Sequence, residues 1–446
     1  MAKVNGLREV ISMSKAIINT KIYDFNQFIQ NGYVIFDGKI LEVGEMSQFK
    51  DQDYEIIDGK DFLTMPSLVS AHTHIYSTFA RGMSVHFDPK NFQDILDQLW
   101  WKLDRRLDNQ MTYYSGIVSA VDFMKNGVTT IIDHHASGVD ITYSLESLKK
   151  ALVNDAGLRG AFAFEVSDRF PIEESIEENR IFYEENQTKN ARGLFGLHAG
   201  MSLSEDTLVQ VKKAVGTAPI HIHVAESELD EEDSLKKYGE RIINRLNRHG
   251  LINPGSIIAH AIYVDDDELK ILKENNASIV VNFSSNMNNS VGIPNLNKFR
   301  KHGIQVIIGN DGISSSMTTE YLALYYATHL LDQKPQLFGL NELKQMIEDT
   351  YQYANDLFKI KVGRIKKGYD ADLLMIPYIE PTPMNQDNAF GHLFFGLFNS
   401  FKPTNVFVNG LYVVENYMVN PYLTTLYKEA KDEAKKLWNK INEVEK

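Results

Sequence analysis

Six residues with side chains that bind metals or transfer protons stand at, or just past, the ends of short apolar segments. They are His72, His74, His223, Glu226, His260 and Asp311. In His72-Thr73-His74 the histidines alternate by two, so on a strand both imidazoles point to the same side. They can then hold one divalent metal ion, although the spacing alone fits a structural or solvated pair equally well. The position of the pair after Pro66 and before a long loop favours the metal site.

The same spacing recurs at His221 and His223, and Glu226 follows three residues after the second histidine. We expect His223 to be the metal ligand. Glu226 then lies past the strand end and faces a metal-bound water without binding the ion. His221 is expected to line the lumen behind the ligands.

Asp311, followed by Gly312, is expected to complete a set of three histidines and one aspartate. Its carboxylate can also take the proton as a bound water becomes hydroxide. The alternative role for an aspartate at this point is a helix N-cap. His260 follows the apolar residues 256–259, and we expect it either to hydrogen-bond the hydroxide or to be a fifth ligand.

These residues can meet if their strands share one face, as the carboxyl ends of a parallel barrel do. The apolar segments predicted as strands are residues 68–72, 128–133, 159–165, 194–198, 220–224, 256–260, 278–282 and 306–310. Amphipathic helical patterns lie between most of them, for example at residues 113–124 and at residues 204–214, where Ser204 is the expected N-cap. This alternation indicates an α/β fold, here a (β/α)8 TIM-like barrel.

Short strand patterns at both ends of the chain predict a second, smaller β-sandwich-like domain. In the first of these regions Asp37-Gly38 separates two apolar runs and signals a hairpin. The expected boundaries are residues 1–65 and 359–422 for the split β domain, 66–358 for the (β/α)8 barrel with the predicted metal site and 423–446 for a C-terminal helix.

Composition limits the class of protein. The chain has 446 residues, no cysteine and a formal net charge of -13. Without cysteine, any metal must be held by histidines and carboxylates. The negative charge disfavours nucleic acid, and neither a signal peptide nor a membrane-spanning apolar run is recognisable. We expect a cytoplasmic protein with a small-molecule substrate and no membrane partner, and a homo-oligomer is compatible with the sequence.

Several motifs together resemble the amidohydrolase superfamily, in its mononuclear metal-dependent deaminase and chlorohydrolase branch. They are Pro66-x-x-x-x-Ala71-His72-Thr73-His74, His223-x-x-Glu226, His260, Asp311-Gly312, residues 127–130, residues 368–373 and Val408-Asn409-Gly410. Residues 99–104 and the pair His134-His135 are most similar to the SsnA aminohydrolases of that branch. The resemblance covers nearly the whole chain and implies a metal-dependent hydrolytic deaminase, or a close variant, with one zinc or iron ion.

The fourth predicted strand ends at His198, without the modified lysine that binuclear members carry there, so the resemblance implies one metal ion. His198 is followed by Ala199-Gly200-Met201, where adenosine-type deaminases of the branch have Pro-Tyr. The loop after the seventh strand also lacks their usual His-x-Pro. We therefore expect poor activity on adenosine-like nucleosides and better activity on smaller, flat, aminated rings.

Five residues are predicted to contact the substrate, namely Arg81, Trp100, His134, His135 and His198. Because neighbours on a strand alternate in direction, one of His134 and His135 is expected to face the pocket. Arg81 could clamp an anionic group or form a surface salt bridge. The Trp100 ring could cover the site or stack on a flat ring, the alternative being packing within its loop.

The resulting hypothesis is hydrolytic release of ammonia from an amino-substituted purine, pyrimidine or pterin-type ring. Metal-bound hydroxide attacks the ring carbon, Asp311 accepts the proton of the water, Glu226 delivers a proton to the ring nitrogen and His260 orients the hydroxide. A second hypothesis changes the leaving group to chloride, an amine or an amide nitrogen. A third, a non-catalytic metal-binding barrel, is disfavoured because Glu226 is not needed to bind metal.

Overall fold

The computed structural model describes residues 13–444 of the chain. Its strands are β1 (Lys15–Tyr23), β2 (Phe28–Phe36), β3 (Ile40–Glu45), β4 (Glu55–Asp58), β5 (Phe62–Pro66), β6 (Leu68–Thr73), β7 (Val128–His135), β8 (Arg159–Phe164), β9 (Ala191–Gly193), β10 (Phe195–Ala199), β11 (Ile220–Val224), β12 (Ile257–His260), β13 (Ser278–Val281), β14 (Gln305–Ile308), β15 (Leu373–Pro377), β16 (Asn405–Val408), β17 (Leu411–Glu415) and β18 (Met418–Val419). Its α-helices are α1 (Phe92–Ile95), α2 (Trp101–Asp104), α3 (Asn109–Lys125), α4 (Ser144–Lys149), α5 (Ile172–Glu185), α6 (Glu205–Val215), α7 (Glu228–Tyr238), α8 (Ile242–Arg248), α9 (Asp266–Glu274), α10 (Phe283–Asn288), α11 (Leu296–Lys301), α12 (Met317–Asp332), α13 (Leu340–Phe358), α14 (Ala389–Gly391) and α15 (Pro421–Val444). Short 3₁₀ or π-helical turns lie at Met46–Gln48, Ile75–Ala80, Leu96–Trp100, Lys150–Asp155, Gly200–Ser202, His392–Leu397 and Phe398–Ser400.

Strands β6 to β14 form two parallel sheets within the described residues, in the orders β6-β7-β8-β9 and β10-β11-β12-β13-β14. Isolated parallel bridges connect Val166 with Leu197 and Thr73 with Asp311, so both edges of one sheet meet the other. Each strand predicted between residues 68 and 310 is present, with bounds that differ by at most two residues. Parallel sheets with helices between the strands fit a TIM-like barrel.

Burial explains why the strands of this region were recognisable. In β13 and β14 nearly every residue is buried, because helices cover the outer side of the sheet and packed side chains fill the inner side. Strands buried on both faces have continuous apolar sequences. A polar or titratable residue directly after such a run is therefore conspicuous.

Helix ends also follow local sequence signals. The Ser204 side chain accepts a hydrogen bond from the backbone N–H of Thr207 at 3.3 Å, as expected for the N-cap of α6. Asp108 caps α3, the helix predicted at residues 113–124, in the same way. These helices pack on the outside of the parallel strands, which fixes the strand ends relative to one another.

Segments from both ends of the described chain share a nine-stranded sheet, in the order β18-β17-β16-β15-β5-β1-β2-β3 with β4 paired to β1. The predicted hairpin at Asp37-Gly38 is confirmed, since β2 and β3 pair in antiparallel fashion on either side of it. The buried guanidinium of Arg159, on β8, bonds to Asp372 and Asn409. This contact ties the nine-stranded sheet to the parallel strands.

The last helix, α15, packs along α3, and the indole N–H of Trp438 donates to the backbone carbonyl of Phe79 at 2.7 Å. It thereby supports the segment that follows the first histidine pair. Residues 1–12 and 445–446, which the predicted terminal boundaries include, lie outside the described residues. Within residues 13–444, no helix combines the length and the apolar character that crossing a membrane requires.

Candidate metal centre and active-site cavity

The first histidine pair lies at the carboxyl end of β6, and Asp311 lies just after β14 beside it. The His74 Nε2 atom is 3.2 Å from Asp311 Oδ1, and the His72 Nε2 atom is 3.6 Å from the same oxygen. The backbone N–H of Asp311 donates to the carbonyl of His72 at 3.0 Å. This pairing between the two strand ends brings together residues that are far apart in sequence.

His223 approaches from β11, with its Nε2 atom 3.0 Å from His74 Nε2. Each of these rings donates its Nδ1 hydrogen to a backbone carbonyl, His74 to His134 at 2.7 Å and His223 to His198 at 2.9 Å. The Nε2 atoms are therefore left to face each other. Two nitrogen lone pairs at this distance repel unless a proton or a metal ion lies between them.

His72 completes the trio of imidazoles. Its Nδ1 atom is 2.8 Å from His221 Nε2, and its own Nε2 atom is buried without a hydrogen-bond partner among the described residues. His221 thus lies behind His72 and orients it. Outer partners of this kind fix the direction of a ligating ring.

The structure contains four overlapping groups of side chains whose donor atoms lie within 4.8 Å of one another. The groups are His72–His74–Asp311, His72–His223–His260, Glu226–His260–Asp311 and His74–His134–Glu165–His223. Because each shares at least one member with another, they describe one centre. Imidazole and carboxylate ligands suit zinc and iron. The orphaned Nε2 of His72 and the facing nitrogens of His74 and His223 are the atoms that one such ion would satisfy.

His72, His223 and Asp311 have the protonation states that bind metals, and His74 carries a proton that a bound ion would displace. Burial lowers the pKa of His72 to about 3 and holds the pKa of His223 well below its ordinary value, so both rings are neutral. Burial also acts to lower the pKa of His74, but the hydrogen bond and charge of Asp311 raise it to about 9. Burial opposes ionisation of Asp311, yet the neighbouring His72 and His74 hold its pKa well below the ordinary value. Neutral imidazole and ionised carboxylate are the forms that bind metals.

Two of these residues have strained backbones. His260 and Asp311 have φ angles of 69° and 53°, in the left-handed region that costs about 1–3 kcal/mol for a residue other than glycine. Around Asp311 the conformation is held by Thr73, whose hydroxyl donates to the Asp311 carbonyl at 2.7 Å. The turn directs the Asp311 carboxylate back toward the histidines.

Glu226 lies beside His260. Its Oε2 atom is 3.4 Å from His260 Nε2, and Oε1 accepts from the Asn289 amide at 3.5 Å. The His260 Nδ1 atom donates to Asn286 Oδ1 at 2.7 Å, which leaves Nε2 directed at the centre. Burial raises the pKa of Glu226 above its ordinary value, which favours the protonated form that can act as an acid.

A cavity opens directly above the metal-ligand side chains, and aromatic residues surround it. Its lining includes His74, His223, Asp311 and Glu226, together with Phe92, Trp100, Trp101 and His198. Of the predicted substrate contacts, His198 and Trp100 line this cavity. Flat apolar walls with a few polar groups are typical of small-molecule sites.

The structure does not bring the other predicted contacts into the cavity. Arg81 points outward and pairs with Asp122 at 2.9 Å, so it forms the surface salt bridge rather than an anion clamp. His134 and His135 are both fully buried and absent from the lining. His134 lies beneath the cavity floor, where its Nε2 donates to the carbonyl of His221 at 2.9 Å. The His135 ring packs against Tyr76 instead.

Glu165 is the polar residue of the cavity that the sequence reasoning missed. It directly follows β8, lines the cavity, and accepts from His134 Nδ1 at 3.1 Å. The signal that identified Asp311 was present here too, because the apolar residues 161–164 run straight into a carboxylate. Asp104 and Asn289 also line the cavity but lie on helix α2 and after helix α10, where no strand-end rule applies.

Comparison with solved structures places the fold among zinc-containing hydrolases. The adenosine deaminase from Xanthomonas campestris with bound zinc superposes with a TM-score of 0.82 and 18% identity, covering 95% of this chain and 99% of that one. Atrazine chlorohydrolase TrzN from Arthrobacter aurescens TC1, complexed with zinc, gives a TM-score of 0.79 and 18% identity over 94% and 99% of the two chains. At this identity the likeness establishes the fold.

Sequence relatives cover nearly the same extent. The 5'-deoxyadenosine deaminase of Methanocaldococcus jannaschii is 28% identical over 398 residues, which is 86% of this chain and 91% of that protein. The 5-methylthioadenosine/S-adenosylhomocysteine deaminase of Pyrococcus furiosus is 29% identical over 81% and 86% of the two chains. The sequence pattern of the amidohydrolase family matches residues 63–413. This match confirms the resemblance inferred from the motifs: the chain belongs to the amidohydrolase family.

Proposed function

We propose that this protein is a metal-dependent hydrolase that releases ammonia from an amino-substituted heterocycle of the purine, pyrimidine or pterin type. The observation that carries the proposal is that carboxylate oxygens of Glu226 and Asp311 both lie near the His260 Nε2 atom, at 3.4 Å and 3.8 Å. Burial raises the pKa of Glu226, whereas the neighbouring histidines hold the pKa of Asp311 low against the effect of burial. Two carboxyl groups whose pKa values are shifted in opposite directions supply an acid and a base in one site.

The proposed ligands of one zinc or iron ion are His72, His74, His223 and Asp311. When bound, such an ion acts as a Lewis acid and lowers the pKa of a water ligand. The side chains of this set offer three imidazole nitrogens and one carboxylate, and His260 Nε2 is available either to orient the attacking water or to act as a fifth ligand.

In the proposed reaction the water oxygen bonds to the ring carbon, and the bond between that carbon and its amino nitrogen then breaks. Asp311 accepts a proton from the water, because its carboxylate is ionised and lies beside the histidines. Glu226 delivers a proton to the ring nitrogen. Asp311 then passes its proton to the amino nitrogen, which leaves as ammonia, and the proton of the new hydroxyl group returns to Glu226. Proton transfer by such positioned groups contributes about 10²–10⁴-fold to a rate. Trp100 and His198 lie where they can contact the flat ring.

We also propose a division of the chain into a barrel, a β domain and a C-terminal helix. The two isolated bridges between the parallel sheets support a closed (β/α)8 barrel at residues 66–358. The nine-stranded sheet supports a separate β-sandwich-like domain built from residues 1–65 and 359–422, followed by the helix at 423–446. A cytoplasmic location and a homo-oligomer stay predictions from the sequence.

The archaeal relatives support ammonia as the leaving group, since both are deaminases of adenosine-type compounds by name. The loop after His198 continues Ala199-Gly200-Met201 in this chain. For that reason we keep the expectation that smaller, flat, aminated rings are better substrates than adenosine-like nucleosides.

The test is a substrate panel on the zinc-loaded protein, with ammonia and chloride both measured. The panel contains aminopurines, aminopyrimidines, pterins, 5'-deoxyadenosine, S-adenosylhomocysteine and a chlorotriazine. We expect ammonia from one or more of the smaller rings. Release of chloride alone would show that the protein is a hydrolase with a chloride leaving group and not a deaminase. A fully metallated protein that turns over no compound of the panel would favour a non-catalytic metal-binding barrel. Efficient turnover of S-adenosylhomocysteine without turnover of the free bases would contradict the expected preference of the pocket for smaller rings.

A further inference from the structure

Glu165 presents to the cavity one carboxylate oxygen that has no hydrogen-bond partner among the described residues. Its side chain is 3% exposed, and Oε1 accepts the hydrogen bond from His134 Nδ1 at 3.1 Å. The Oε2 atom lies 3.8 Å from Arg169 Nη2 and 3.9 Å from His198 Nε2, beyond hydrogen-bonding distance of both. A buried carboxylate oxygen of this kind is a strong acceptor that remains costly to leave unpaired.

His134 fixes the direction of that carboxylate. Its Nε2 faces the carbonyl oxygen of His221 at 2.9 Å, and a carbonyl can only accept. Its Nδ1 faces Glu165 Oε1, so both ring nitrogens point at acceptors and both donate. The Arg169 guanidinium and the imidazoles of His134 and His198 lie within 4 Å of the Glu165 carboxyl group, and such neighbours favour its ionised form. The carboxylate is therefore ionised and held with Oε2 toward the cavity.

His198 offers a second acceptor on the same wall. Its Nδ1 lies 2.6 Å from Ser202 Oγ, and that hydroxyl also donates to the carbonyl of Ala199 at 3.1 Å. A hydroxyl has one hydrogen, so both contacts are made at once only if His198 donates its Nδ1 hydrogen. A neutral imidazole that donates from Nδ1 carries its lone pair on Nε2.

The charges around the cavity point in the same direction. The carboxylates among its lining residues are Asp104, Glu165, Glu226, Asp230 and Asp311, and no lysine or arginine is among the lining residues of the described chain. Because carboxyl oxygens accept hydrogen bonds, a ring that presents N–H groups is favoured on this wall.

We propose that Glu165 and His198 form a recognition wall that selects rings presenting N–H donors, such as an amino-lactam or cyclic guanidine edge, over rings that present acceptor nitrogens there. A ring N–H placed about 2.9 Å from Glu165 Oε2 satisfies that oxygen, and a second N–H of the same ring, at a similar distance from His198 Nε2, satisfies the imidazole. The inference relies on the proposed function for the reaction itself and adds the class of ring. It makes Glu165 a specificity-determining residue.

The experiment compares two flat ligands that carry no amino group to release. Benzimidazol-2-one has two ring N–H donors, and its 1,3-dimethyl derivative has none. Binding to the zinc-loaded, full-length protein is followed by quenching of tryptophan fluorescence, because Trp100 and Trp101 line the cavity. We expect the wild type to bind the N–H ligand about tenfold or more tightly than the dimethyl ligand, as for a charge-assisted hydrogen bond.

Glu165→Gln should reduce that preference to about threefold or less and leave zinc content unchanged, because the amide lacks the negative charge. Glu165→Asp should retain part of the preference, since it keeps the charge on a shorter side chain. The matched control is Ser285→Ala, which changes another residue of the cavity lining and should leave the preference as in the wild type.

Equal binding of both ligands by the wild type would overturn the inference, as would a Glu165→Gln protein that keeps the full preference or loses both ligands equally. The wild-type comparison does not require any variant to fold. If the N–H ligand is preferred but the substrate panel yields no ammonia, deamination is wrong and the recognition wall stands. If ammonia is released but the N–H ligand is not preferred, deamination stands and the recognition wall is wrong.

Discussion

The Nε2 atoms of His74 and His223 lie 3.0 Å apart, and the Nδ1 atom of each ring is already committed to a backbone carbonyl. The two rings can turn no other nitrogen toward the centre. A proton between them relieves the repulsion, which agrees with the raised pKa of His74. A divalent ion relieves it as well and also satisfies His72 Nε2, which otherwise has no partner among the described residues.

Zinc should therefore bind once per chain and stabilise the fold. A ligand that binds only the native state adds about 2.7 kcal/mol at 100 times its dissociation constant, which raises the melting temperature. We expect elemental analysis to give about one ion per chain, and His223→Ala to lose both the ion and the zinc-dependent shift. His249→Ala is the control, because His249 pairs with Glu205 away from the centre. Two tightly held ions per chain would contradict a single site.

Gly309→Ala should weaken metal binding although it changes no ligand. A Cβ atom at Gly309 would lie 2.7 Å from His72 Cβ, 2.8 Å from the His72 backbone nitrogen and 2.5 Å from Asn282 Oδ1. Because backbone cannot move aside as a flexible side chain does, His72 must shift. We expect a loss of about tenfold or more in zinc affinity by competition with a chelator, in line with altered support of a metal ligand. Gly391→Ala, which meets nothing within 4 Å, should keep wild-type affinity.

Glu226→Gln should separate metal binding from chemistry. The side chains are nearly isosteric, and Glu226 lies outside the proposed ligand set, so the variant should fold with full metal. Loss of acid–base assistance should lower kcat by about 10²–10⁴-fold on the substrate that the panel identifies. Asp311→Asn should lose metal as well as rate, because it removes a proposed ligand. A metallated Glu226→Gln protein with near-normal turnover would remove Glu226 from the mechanism and favour a leaving group, such as chloride, that needs no proton.

The pH dependence of the reaction should carry the signature of the same carboxyl group. Burial raises the pKa of Glu226 above its ordinary value of 4.5, and the protonated form is the one that donates. The rate should be highest below that raised pKa and fall as pH increases through it, because the donor becomes ionised. In Glu226→Gln this alkaline limb of the kcat profile should be absent from the residual activity. A limb that persists unchanged would assign the ionisation to another group.

Arg81→Ala should leave substrate binding and turnover within about twofold of the wild type. The Arg81 side chain is 62% exposed, and its partner is Asp122 on the outside of α3. Exposed pairs of this kind contribute about 0–1 kcal/mol to stability, so the melting temperature should change little. A marked increase in KM for any panel substrate would show that this loop reaches the cavity during turnover.

Much of the fold could be predicted because local sequence and burial agree in the parallel strands. Runs such as residues 278–281 are apolar throughout, since both faces of the strand are covered, and their ends stand out. The metal-ligand candidates were visible for the same reason: histidine and aspartate interrupt apolar runs at the ends of β6, β11, β12 and β14. Glu165 obeys the same rule, because it directly follows the apolar residues 161–164, but it was not predicted.

The amino-acid sequence by itself determined which residue types stand at the strand ends, the absence of thiol ligands and the membership of the amidohydrolase family. Only the tertiary structure decided which of those residues share the cavity. The side chain of His134 points below the cavity floor because of its place in the alternation along β7. The side chain of His198, at the end of another strand, lines the cavity wall. The orientation of His198 and the free oxygen of Glu165 depend on contacts with Ser202 and His134, which come from different elements. Hydrogen bonds of this kind are set by three-dimensional packing, and no local pattern of residues encodes them.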